Sequence, residues 1–161
     1  MSIKVGDKMP KGQFSRMGAN GPEAVSTDDL FRGKKVVLFS VPGAFTPTCS
    51  AKHLPGFVQS SDALKAKGVD TIACMAVNDV FVMNAWGESA KAGGKVQMLA
   101  DGNGDYARAL DLELDASKFG MGKRSKRFSI IVDDGVVTQI NLEPPGEFGV
   151  SSAETALKQL G

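Results

Sequence analysis

The chain is poor in the residues that build metal and disulfide sites. It has a single histidine and two cysteines in 161 residues, with no Cys-x-x-Cys and no spaced His pair, so a zinc centre would need an improbable ligand set. Two cysteines also fall short of a disulfide framework, which makes a cysteine that matters here reactive rather than structural. Charge of one sign is missing as well: 19 basic against 18 acidic side chains leave a formal net charge of +1. That balance exerts no general pull on nucleic acid or on an anionic membrane, and neither partner is expected. No run of about 18 apolar residues occurs, and the opening MSIKVGDKMP has no secretory-type apolar segment. The expected location is cytoplasmic, with an organelle lumen left open because a removed transit peptide leaves no trace.

What is present is an alternation of apolar runs with amphipathic stretches, without internal repeats or low-complexity tracts, in a length that suits one domain over 1–161. Residues 35–41 and 69–77 are nearly continuous apolar runs, as in strands covered on both faces, and 49–67 between them reads as a helix. The result is a βαβ unit with parallel strands. Further on, 79–92 and 105–112 read as helices, 96–100 as a strand, and 128–132 with 136–140 as a hairpin turning at Asp133-Asp134-Gly135. A helix over 152–160, with Ser152 ahead of Glu154, closes the chain. The fold class is α/β, a mixed central sheet with helices on both faces, and this order suits a thioredoxin-like fold.

Chemistry concentrates in Val41-Pro42-Gly43-Ala44-Phe45-Thr46-Pro47-Thr48-Cys49-Ser50, between a strand and a helix. Thr46 is placed as N-cap and Pro47 at the first helical position, where its missing N–H costs nothing. Cys49 then lies in the first turn, where free amides and the helix dipole favour a thiolate. Bringing a thiol from ~8.5 to ~6 takes about 3.4 kcal/mol, whereas a helix terminus supplies ~0.3–1 kcal/mol, or ~2 when partly buried. A cation must therefore help. The run Lys123-Arg124-Ser125-Lys126-Arg127 offers one, and an Arg fork can hold a thiolate and a peroxide oxygen together. The Thr46 hydroxyl can donate to one oxygen and accept from another. Attack on a peroxide oxygen would leave Cys49 as sulfenic acid.

Pro42-x-x-x-Thr46-x-x-Cys49 resembles the active-site signature of peroxiredoxins, and PGAFTPTCSAKHLPGF resembles their type II, peroxiredoxin-5-like branch. The likeness continues through IACMAVNDVFVMNAW, KRSKRFSIIVDDG and INLEPPGEFGVSSAETAL, nearly the whole chain. It implies a thioredoxin-like fold, a homodimer, no cofactor and a hydroperoxide substrate. By position it makes Cys49 the peroxidatic cysteine, gives Thr46 and Pro42 the peroxide pocket, and makes Arg127 the activating arginine, with Arg124 second. One departure bears on the cycle: where animal members carry a C-terminal resolving cysteine, the matching place is close to Ser151. The resemblance to plant and bacterial members then implies an external reductant, glutathione with glutaredoxin, or thioredoxin.

Plainer readings stand beside these. Cys74, mid-strand, reads as core packing before it reads as a resolving cysteine. His53, four residues after Cys49, shares its helical face, but i,i+4 geometry rarely aligns an imidazole with the sulfur, so a pocket-lining role is expected over a Cys–His pair. Pro55 should kink the helix. Gly102-Asn103-Gly104-Asp105-Tyr106-Ala107 matches a dinucleotide fingerprint and is read as a Gly-Asn-Gly turn entering a helix. Trp86 reads as core or dimer contact. A redox-sensing binding module that signals through Cys49 oxidation, and a Cys–His acyl-transfer enzyme, are the competing functions.

Overall fold

A computed structural model of the chain describes residues 2–161. In chain order it contains β1 (Gln13–Gly18), β2 (Gly21–Ser26), α1 (Thr27–Phe31), β3 (Lys35–Ser40) and a π-helical turn (Cys49–His53) that runs into α2 (Leu54–Gln59). Then follow α3 (Ser61–Ala66), β4 (Thr71–Ala76), α4 (Val80–Ser89), β5 (Gln97–Ala100), α5 (Asp105–Ala109), β6 (Glu113–Asp115), β7 (Lys123–Ser125), β8 (Phe128–Asp133), β9 (Val136–Leu142) and α6 (Ala153–Gln159). The main sheet has the order β2-β1-β5-β4-β3-β8-β9. Its centre, β3 with β4 and β4 with β5, is parallel, and the flanks are antiparallel. The mixed sheet and the expected βαβ unit are both present.

Alternation along β3 divides the core into two. Val37 and Phe39 face one side, with Cys49, Phe57, Cys74 and Trp86, while Val36 and Leu38 face the other, with Phe14, Leu30, Tyr106 and Ile130. Helices therefore cover both faces, α2, α3, α4 and α6 against the first and α1 and α5 against the second. Trp86 is core, and its Nε1 donates to Ser50 Oγ at 3.0 Å.

Three features depart from expectation. The β1–β2 hairpin and α1 carry no apolar run; only Phe14 and Val25 of the hairpin are buried, so its periodicity is too weak to read. The basic run, which carries no strand signal in the sequence, supplies one: Lys123–Ser125 is β7, paired with β6, with Lys123 opposite Asp115. The helix expected over 49–67 is broken at Ser60 into α2 and α3. Where Pro55 predicts a kink, the helix widens one turn ahead of it, the N–H of Leu54 reaching back five residues to the Cys49 carbonyl.

The Gly102–Ala107 motif is a turn, as read. Gly104 takes φ +75°, and the Asp101 carboxylate accepts from the amides of Tyr106 at 3.0 Å and Ala107 at 2.9 Å. The α5 amides a phosphate would use are occupied by the chain itself.

Candidate active site

Cys49 is placed by the turn that leaves β3. Pro42 is half-buried at its start, the Ala44 amide donates to Asn78 Oδ1 at 2.9 Å, and Phe45 adopts a left-handed φ of +64°. The helix begins at Pro47, and the Thr46 carbonyl accepts from the Ser50 amide at 2.9 Å. Thr46 thus has the N-cap position, but its hydroxyl is used otherwise. It lies 2.7 Å from the Gly43 carbonyl and 2.8 Å from Cys49 Sγ. One hydroxyl proton serves two acceptors, so Thr46 can donate to a thiolate or, with its proton on Gly43, accept from a thiol.

Arg127 sits in the two-residue link between β7 and β8. Its Nη2 donates to Cys49 Sγ at 3.0 Å, and its Nη1 lies 2.7 Å from His53 Nδ1. His53 Nε2 is 3.0 Å from the Ser151 carbonyl. A carbonyl oxygen only accepts, so Nε2 must carry the ring proton and Nδ1 presents its lone pair to the guanidinium. Burial, and then the Arg127 charge, lower the His53 pKa from 6.5 to about 3, which keeps the ring neutral. Both ring nitrogens are engaged away from the sulfur, so no Cys–His pair forms.

Glu143, just past β9, closes the far side. Its Oε2 accepts from the amides of Gly149 at 2.7 Å and Ser151 at 2.8 Å, and from the Ser151 hydroxyl at 2.6 Å. Burial raises the Glu143 pKa, but these donors outweigh it and hold the carboxyl below its ordinary value. Phe148 in the same loop stands against the His53 ring at 4.9 Å between centroids, and the Arg127 guanidinium lies 5.9 Å from its ring centre.

The structure therefore brings Cys49, Thr46, His53 and Arg127 together. It does not bring Arg124 to the sulfur: Arg124 donates to the Met121 carbonyl at 2.9 Å and the Val77 carbonyl at 3.2 Å, bracing the loops beside Gly43. Cys74 is fully buried in β4, and burial, then the neighbouring Cys49, push its thiol well up. Asn78, Phe148 and Glu143 escaped the sequence reading: the partners of the first two lie tens of positions away, and the loop that folds Gly149 and Ser151 back onto Glu143 follows no periodic pattern. A cavity of about 320 Å³ lined by Lys65, Asp70, Lys95 and Gln97 shares no residue with this site. Among the described residues no three of His, Cys, Asp or Glu gather to hold a metal ion, and no helix is long and apolar enough to cross a membrane.

The redoxin family pattern matches residues 4–157. Peroxiredoxin-2B of Arabidopsis thaliana is 51% identical over 159 residues, covering 98% of this chain and 98% of that protein. Peroxiredoxin-2E, chloroplastic, of the same plant is 48% identical over 163 residues, 99% of this chain and 70% of that protein. Among solved structures, reduced Prx3 in complex with hydrogen peroxide from Vibrio vulnificus superposes with a TM-score of 0.95 at 51% identity, covering 99% of each chain.

Proposed function

Since this chain belongs to the redoxin family and is a peroxiredoxin, a thiol-dependent peroxidase, we propose that Cys49 is the residue that attacks the peroxide. The observation that carries the assignment is the pair of donors on one sulfur, Thr46 Oγ1 at 2.8 Å and Arg127 Nη2 at 3.0 Å. The guanidinium stabilises the thiolate and then the negative charge that develops on the peroxide oxygens. Sγ bonds to the terminal oxygen, the O–O bond breaks, and the departing oxide takes a proton and leaves as water or an alcohol. Cys49 is left as sulfenic acid. Pro42 and Thr46 shape the pocket, and His53 orients Arg127 from behind.

Regeneration uses an external thiol. Ser151 sits behind His53 and has no sulfur to offer, and Cys74 is sealed within the sheet. One external thiol condenses with the sulfenic acid, releasing water, and a second resolves the mixed disulfide and restores Cys49. Glutathione with glutaredoxin, or thioredoxin, fits this role. A homodimer completes the proposal, supported by Phe45, Phe81 and Phe119, which stand 53%, 63% and 71% exposed. For location the proposal is the cytoplasm, or an organelle lumen, one relative being named chloroplastic.

Mass spectrometry after one equivalent of hydrogen peroxide, with and without glutathione, tests this cycle. The expected products are a Cys49 sulfenic acid without glutathione and a Cys49 glutathione adduct with it. A Cys49–Cys74 disulfide formed in good yield would replace the one-cysteine cycle by a two-cysteine one.

A further inference from the structure

We propose that Glu143 is a positioning residue for the peroxidase reaction, fastening the loop that aims Arg127 at Cys49. This rests on the role given above to Arg127. Glu143 and Ser151 are buried anchors at the two ends of a strap whose intervening residues are exposed, apart from half-buried Phe148. The strap is therefore held by its ends more than by packing. One carboxylate oxygen gathers three donors from its far end, two amides and the Ser151 hydroxyl, and among the described residues no lysine or arginine forms an ion pair with that carboxylate. The charged and titratable groups facing it are His53 and, beyond that ring, Arg127.

The strap touches the reaction centre at two points. Its Ser151 carbonyl holds the His53 Nε2 proton, which sets the Nδ1 lone pair against Nη1 of Arg127 and so leaves Nη2 for the sulfur. Phe148 backs both the imidazole and the guanidinium. Glu143 also holds Arg127 from the main chain, its amide donating to the Arg127 carbonyl at 3.1 Å. With the carboxylate removed, the strap loses its fastening and His53 its acceptor. A buried ring left unsatisfied turns to find another partner. The guanidinium then loses the group that fixes its rotation, and a misaimed donor serves a developing charge poorly.

The test compares two reactions of the reduced protein, thiol loss to hydrogen peroxide and alkylation by iodoacetamide. The second needs a thiolate but no aimed guanidinium for peroxide oxygens. Glu143→Ala should slow the peroxide reaction about tenfold and alkylation clearly less, since alkylation feels only the loss of thiolate and not the misaimed donor for the peroxide oxygens. Glu143→Gln, whose amide oxygen can accept in the same place, should recover most of the peroxide rate. Adding Glu143→Ala to His53→Gln should cost less than the product of the two separate losses, because the Ser151 contact acts through the ring. A lowered melting temperature with an unchanged peroxide rate, an equal change in both reactions, or multiplicative losses with His53→Gln would each overturn the proposal. If Glu143→Ala does not fold, Glu143→Asp keeps the charge and shortens the arm. It should then show the same selective loss at about threefold, and an unchanged rate would overturn the proposal. Arg127→Met in the same assay separates the two levels. Full peroxide reactivity there removes the underlying role of Arg127, whereas a loss of about 100-fold in Arg127→Met with unaffected Glu143 variants removes the role of Glu143 alone.

Discussion

Cys49 and Cys74 are both free, both fully buried and both part of the same apolar cluster, yet their surroundings prepare them for opposite fates. Cys49 has a hydroxyl and a guanidinium on its sulfur. Cys74 sits mid-strand between Phe39 and Met98, and among the described residues no side chain donates to its sulfur. Burial, then the neighbouring Cys49, push the Cys74 thiol well up. Exposure therefore does not tell the two cysteines apart in this fold. Oriented donors do, and they are supplied by elements far apart in the chain.

The sharpest way to break the contrast is to exchange the thiols for hydroxyls. Cys49→Ser should abolish peroxidase turnover in a coupled assay, whereas Cys74→Ser should keep it within about twofold, since a buried bystander touches no reacting atom. Residual turnover in Cys49→Ser would mean the wrong sulfur has been assigned. A smaller effect is expected from Arg127→Lys, which keeps the charge but loses the fork that spans His53 and the sulfur. Its second-order rate with hydrogen peroxide should fall about tenfold. An unchanged rate would show that charge alone, without geometry, separates the two cysteines.

A third effect is on stability in acid. His53 is held neutral with a pKa of about 3, against an ordinary 6.5. As pH falls through that window the unfolded chain takes a proton that the native chain refuses, so stability is full above about 6.5 and declines toward 3. The slope from this residue is up to about 1.4 kcal/mol per pH unit. Glu143, whose carboxyl lies below its ordinary value, adds to the loss at the acid end. Urea midpoints measured at stepped pH should show this decline, with His53→Gln flattening it and Cys74→Ser leaving it alone. If His53→Gln keeps the full slope, acid acts elsewhere than on the surroundings of Cys49.

Much of this architecture was legible because it is local. The apolar runs that became β3 and β4, the Asp134-Gly135 turn of the β8–β9 hairpin, with both residues at positive φ, and the Pro47 start that puts Cys49 in a first helical turn are each written in a few adjacent residues. The β1–β2 hairpin was not legible, because one buried residue per strand leaves no period to detect. Arg124 and Arg127 show the same limit at the site. They stand three positions apart in one basic run, and the family resemblance alone ranked them.

By itself the sequence determined the α/β class, the strand–turn–helix that presents Cys49 and the need for a cation beside it. The tertiary structure alone decided where that cation's fork is anchored. The pairing of β7 with β6 and of β8 with β3 places Arg127 in the link between two sheets, 78 residues from the sulfur it contacts. The strap from Glu143 to Ser151 then fixes His53 behind it. Local chemistry encodes an element and its caps, but the direction of a side chain across such a separation is set by register and packing, which no short stretch of sequence contains.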